Sequence, residues 1–177
     1  MIIEKQIEIA KALVATGLIH KVWHSVELIE DKNGIKFPAY SINGEQFYIG
    51  PKDTLHRFAY IRQMGVLKNN GNELVGGCSE FSTLSVPLRI VIFKDREKEN
   101  HNALLQRLIK FTFIKGIKLR SISTNAFQLA KQESPIGDFA FDATTFYASI
   151  DVIAKIIISE KMCSEDICIT HLNPICQ

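Results

Sequence analysis

The chain is poor in almost everything that would announce a chemistry. No glycine-rich phosphate loop is present: the glycines from Gly71 to Gly77 are followed by no Lys-Ser/Thr pair and do not join a strand to a helix. A Gly-x-Ser-x-Gly elbow, a His-Glu-x-x-His pair and an acidic calcium loop are missing as well. These absences remove the commoner hydrolase, nucleotide-binding and metal signatures. The expectation is a protein that is not an enzyme and holds no cofactor.

A dominant charge is also lacking. Its 21 basic and 19 acidic side chains are interspersed and leave a formal net charge of +2. No broad field of one sign steers such a chain toward polyanions, so no sequence-specific nucleic-acid binding is expected. The most basic stretch, Lys110, Lys115, Lys118 and Arg120, reads as a solvated face, because Phe111 and Phe113 between those lysines look like core residues. Long apolar runs are missing too. The most apolar segment, Val152 to Ser159, is broken by Lys155 and falls far short of the ~20 residues a membrane helix needs. The opening Met1-Ile2-Ile3-Glu4-Lys5 carries acids and bases through an amphipathic repeat and does not resemble an export signal. No membrane partner is expected.

Cysteine is scarce, at four residues, and without an export signal free thiols are the expectation. Three of them surround a histidine as Cys163-x4-Cys168-x2-His171-x4-Cys176. That inventory suits zinc, but its intervals exchange those of a zinc knuckle, so incidental thiols on an arm are preferred and a zinc-binding module is kept as an alternative. His20 and His24 lie on one face of a strand roughly 13 Å apart, too far for a shared metal. Asp138 and Asp142 flank a turn with Phe139 and Phe141 between them, and no partner base can be named for acid–base work.

What is present is a pattern of elements. With 46% apolar and 23% charged residues the chain is an ordinary globular composition, and splitting it would leave two pieces of roughly 90 residues, each marginal. One domain is expected over residues 1–159, with a C-terminal arm over 160–177. Ile3, Ile7, Ala10, Leu13 and Val14 recur at helical spacing up to Gly17, which is placed to stop a first helix. Two Asn-Gly turns, Asn33-Gly34 and Asn43-Gly44, divide the next segments into a three-stranded meander. Thr54 to Met64 reads as a short helix or an irregular connector. Lys68 to Gly77, with three glycines and three asparagines around Leu74 and Val75, reads as a long mobile hairpin or loop.

Leu88 to Phe93 is a buried strand, with Pro87 marking an edge, a bulge or the strand's start. Asn100 can cap a second helix carrying Ala103, Leu104, Leu108, Phe111 and Ile114. Ile117 to Thr124 leads into a strand that can continue through Phe127 to Lys131. Thr144 to Ser159 alternates as a long strand with one buried face. The fold class that follows is α+β, an antiparallel or mixed β-sheet with two helices packed on one face.

This arrangement resembles the tail terminator (tail completion) proteins of long-tailed bacteriophages and, more broadly, the small connector proteins of the phage neck. The features that carry the likeness are the opening helix Ile2 to Thr16, the apolar strand Val86-Pro87-Leu88-Arg89-Ile90-Val91-Ile92-Phe93, the helix Asn102 to Lys115, and the closing strand Thr145 to Val152. The resemblance implies a structural virion component made in the host bacterial cytoplasm. In that family a hexameric ring caps the tail tube and joins it to the head, so the implied partners are further copies of the chain, the tail tube protein and a head-completion or connector protein. Leu74 and Val75 would then serve as intersubunit or tube-facing contacts. A small-ligand or protein-binding module without catalysis is the other reading the sequence leaves open.

Overall fold

The computed structural model describes residues 2–17, 19–34, 36–49, 58–75, 79–93, 106, 116–133 and 146–161. The chain opens with helix α1, Ile2–Ala15, followed by strands β1, Lys21–Glu30, β2, Lys36–Ile42, and β3, Glu45–Tyr48. Strands β4, Phe58–Gln63, β5, Lys68–Val75, β6, Ser79–Phe93, and β7, Ile117–Ser123, come next. Helix α2, Ala126–Glu133, and strand β8, Phe146–Lys161, complete the described elements. The eight strands form one sheet in the order β3-β2-β1-β4-β6-β8-β7, with β5 paired to β6 off this path. Every pairing is antiparallel except β1 with β4.

The turns behave as their residues dictate. Asn43 and Gly44 both take positive φ, 52° and 86°, which is the backbone that a two-residue turn needs between Ile42 and Glu45. Gly17, at φ 70°, ends α1 in the left-handed region, and its N–H donates back to the Val14 carbonyl. The buried stripe of α1 is Gln6, Ile9, Ala10 and Leu13, while Ile3 and Val14 are exposed. The helix is therefore turned relative to its apolar stripe, and its buried row includes Gln6. Its side-chain Oε1 accepts the Ser25 backbone N–H at 2.6 Å. Ser25, at φ 57°, sits in a bulge of β1 where the register with β4 shifts between Trp23 and Val26. A bulge takes one amide out of the ladder, and the buried Gln6 satisfies it.

Thr54 to Met64 is corrected: β4 occupies Phe58–Gln63, and Phe58, Ala59, Tyr60 and Ile61 are all buried. A central strand covered on both faces is apolar at every position, so it shows neither strand alternation nor a helical stripe. Lys68 to Gly77 is corrected too. Residues 68–75 form β5, laddered to β6 from Lys68↔Ser85 to Val75↔Ser79, and a register shift between Asn69 and Asn72 absorbs Gly71. The backbone ladder supplies the hydrogen bonds whatever the side chains, which is why a polar, glycine-containing stretch can still be a strand. Phe127 to Lys131, expected as a strand, lies in α2 because the Asn125 side chain caps it, its Oδ1 accepting the Gln128 N–H at 3.1 Å.

Pro87 lies inside β6, which continues on both sides of it. Its carbonyl accepts the Met64 N–H, so the missing N–H of the proline faces the same side, where residues 64–67 interrupt the pairing between β4 and β5. The ring thus costs the sheet no hydrogen bond.

The core lies on both faces. On one, Ile9, Ala10 and Leu13 of α1 pack with Ala59, Ile61, Leu88, Ile90, Ile150 and Val152. On the other, Leu129 of α2 joins Trp23, Val26, Phe58, Tyr60, Val91 and Phe93. The α+β class, with a mixed and mostly antiparallel sheet and two helices, is as expected. Helices α1 and α2 cover opposite faces of the sheet, and the common face expected for α1 and the helix over Asn102 to Lys115 falls outside the described residues with that helix. The helix expected over Asn102 to Lys115 lies outside the described residues, as do Asp138, Asp142 and Cys78. The arm expected over 160–177 begins with the last two residues of β8, and 162–177 lie outside them as well.

Candidate functional site

On the α2 face, one row of register partners runs straight across the sheet: Val26 with Arg62, Arg62 with Arg89, Arg89 with Asp151, and Asp151 with Ser121. Two arginines directly opposite one another on one face repel, so something must lie between them. That group is Glu133, the last residue of α2, whose side chain is fully buried. Its Oε2 accepts Tyr60 Oη–H and Arg62 Nε–H, each at 2.7 Å. Its Oε1 accepts Arg62 Nη2 at 2.8 Å and Arg89 Nη1 at 3.2 Å.

Arg89 also donates in a fork to Asp151, Nε to Oδ1 at 2.7 Å and Nη2 to Oδ2 at 3.0 Å, and Nη1 reaches Gln132 Oε1 at 2.7 Å. Ser121 Oγ donates to Asp151 Oδ2 at 3.2 Å. The hydrogen bonds to Asp151 hold the Arg89 guanidinium above its ordinary pKa, against the opposing effect of burial. Burial pushes the Tyr60 phenol well above its ordinary value, and the adjoining Glu133 carboxylate adds to the rise.

Four donors meet the four lone-pair positions of the Glu133 carboxylate. A carboxylate so saturated has no lone pair left to take a substrate proton. Its chemistry is to hold: the cluster pins the end of α2 to β4, β6 and β8 with charge-assisted hydrogen bonds. A shallow cleft of about 300 Å³, lined by Val26, Glu27, Leu28, Arg62, Gln63 and Gly65, opens beside it. That is the lower end of the size range for small-molecule sites, and the exposed Glu27 is the one carboxylate among these lining residues.

The Tyr60 contact makes a test in alkali. The folded phenol keeps its proton above the pH, about 10, at which an unfolded tyrosine loses it, so this contribution is complete below about pH 10 and declines as pH rises beyond it. Tyr60→Phe should cost about 1.5–3 kcal/mol at neutral pH and should lessen the fall in stability above pH 10. Urea midpoints of both proteins on either side of that pH check this, and an identical alkaline decline in the two would refute it.

The second set of surface features lies at the sheet's ends. An aromatic row leads outward from the core: Phe93 stacks on Phe58 at 4.4 Å, Phe58 meets the edge of Trp23 at 4.8 Å, and Tyr40 stacks on Phe47 at 5.6 Å, with Trp23 and Tyr40 6.0 Å apart between them. The row ends on β3, all of whose residues are exposed, with Phe47 40%, Tyr48 49% and nearby Ile42 52% accessible. At the opposite end stands β7, where Lys118, Arg120 and Ser121 are exposed.

Of the residues singled out from the sequence, Leu74 and Val75 are in β5, paired with Glu80 and Ser79 of β6. Cys163, Cys168, His171 and Cys176 lie outside the described residues, among which no group of three or more potential metal ligands occurs. His24 is in β1, its Nδ1 3.3 Å from Ser25 Oγ, and His20 precedes the strand. No helix among the described residues is long and apolar enough to cross a membrane. The Glu133 cluster was not anticipated, yet a signal existed. Arg62 follows the apolar run Phe58 to Ile61, Arg89 stands between Leu88 and Ile90, and Asp151 between Ile150 and Val152, and a charge among such neighbours must find a partner. No protein-family model and no curated protein matches this chain.

Proposed function

We propose that this protein is a structural subunit that works by assembling with copies of itself, in the manner the resemblance to phage tail terminators and neck connectors implies: a ring, of six copies in that family, seated on a tail tube and meeting the head. One observation carries the reading. The sheet ends in a strand, β3, whose backbone edge is unpaired among the described residues and whose side chains expose Phe47 and Tyr48 beside Ile42. A monomer that leaves an apolar sheet edge bare invites uncontrolled pairing, and closure of a ring satisfies it. The saturated Glu133 cluster supports the same reading, since the ionisable groups at the centre of the sheet are occupied with holding the fold. Leu74 and Val75 stay candidate intersubunit or tube-facing contacts, carried on β5 laddered to β6 rather than on a loop.

The test is solution mass with and without a candidate tail tube protein. A closed oligomer, alone or on the tube, is the expected result. A chain that stays monomeric with every structural partner and saturably binds or turns over a small molecule would replace this reading with that of a ligand-binding module.

A further inference from the structure

Resting on that assembly reading, we infer that neighbouring copies join head to tail through the two ends of the sheet, β3 of one copy pairing with β7 of the next. The two strands are the terminal members of the sheet, so each offers an outer edge unpaired among the described residues. Their charges are complementary. Glu45 is exposed on β3, whereas Lys118 and Arg120 are exposed on β7. Like-charged edges would repel, so the pattern disfavours β7 meeting β7 and favours β3 meeting β7.

The faces agree as well. Glu45 and Phe47 share the face of Tyr40, which leads through Trp23 to the α2 side. Lys118 is the register partner of Ile153, two residues from Asp151, and so belongs to the α2 side too. A sheet continued from one copy into the next therefore brings Glu45 and Lys118 to the same surface. The four residues of β3 fit within the seven of β7. Because the two joined surfaces differ, the contact repeats around an axis and closes a ring or grows a filament, and does not stop at a dimer.

Zero-length carbodiimide coupling tests the pairing on the full chain. Within one copy the two edges are separated by the width of the sheet, roughly 29 Å at about 4.8 Å per strand, so a Glu45–Lys118 amide can form only between copies. Mixing isotopically labelled and unlabelled protein should give that cross-link as a hybrid peptide. Charge reversal supplies the second arm. Glu45→Lys alone, and Lys118→Glu with Arg120→Glu, should each weaken assembly at least about tenfold, while an equimolar mixture of the two variants should assemble again with the copies alternating. Each variant is an exposed change and should melt like the parent. If the parent forms oligomers but the reversals neither weaken nor complement one another, the β3–β7 joint is wrong and the ring stands on other surfaces. If the parent forms no oligomer alone or on the tube, the assembly reading fails and this joint with it.

Discussion

Replacing Glu133 by alanine is expected to cost about 3–5 kcal/mol, a large part of the 5–15 kcal/mol that holds an ordinary domain together. The loss comes from what is left behind more than from what is removed. Arg62 and Arg89 are register partners on a covered face, and with the carboxylate gone Arg62 keeps no counterion among the described residues, where Arg89 keeps only Asp151. Tyr60 would lose its acceptor in the same step. Glu133→Gln retains the shape and an acceptor oxygen but not the charge, and should fall between the parent and alanine. Pairing Glu133→Leu with Arg62→Leu should recover much of the loss, because removing both members of a buried pair leaves no bare charge. Urea denaturation of the parent, the alanine and glutamine variants, the double variant and its two leucine singles measures all of this. A loss below about 1 kcal/mol for alanine, or a double variant no better than the worse single one, would mean that the cluster does not hold α2.

Phe93→Ala should be of comparable size, about 3–5 kcal/mol, for a different reason. Phe93 is fully buried, stacks on Phe58 at 4.4 Å and lies 5.5 Å from Tyr60. Truncation removes a large apolar side chain where β4 and β6 leave neighbours little freedom to collapse inward, and the two ring contacts are lost with it. Phe93→Leu, which refills most of the volume, should recover more than half. Thermal and urea melts showing alanine within 1 kcal/mol of the parent would place Phe93 outside the core.

The parts of this fold that were legible in the sequence are those specified by local chemistry. Asn43-Gly44 requires positive φ at successive residues, and that alone joins β2 to β3 whatever the rest of the chain does. Gly17 ends α1 for the same local reason, and the alternation from Phe146 onward is the direct signature of a strand. What stayed hidden depends on neighbours far along the chain. Phe58 to Ile61 could not be read as a central strand until β1 and β6 lie on either side of it, since burial on both faces erases the alternation. Lys68 to Val75 carries no strand-forming side-chain pattern, and its conformation comes from the ladder with β6. Glu133 was invisible as a site because its partners Arg62, Arg89 and Tyr60 are more than forty residues away.

The pairing of β6 with β8 sets how this chain must reach its native state. Phe93 meets Phe146 and Ser79 meets Lys161, so the longest ladder in the sheet closes segments more than fifty residues apart. The meander β1-β2-β3 and the β5-β6 hairpin need only short loops to close, and their contacts can form while the rest of the chain is still searching. The β6–β8 zipper carries the entropy of a long closure before its contacts repay it, which places the chain among slow, topologically complex folders. Until β8 arrives, one flank of the most apolar strand in the protein, Val86 to Phe93, stands open to any other nascent chain, so the yield of native protein depends on how crowded that interval is.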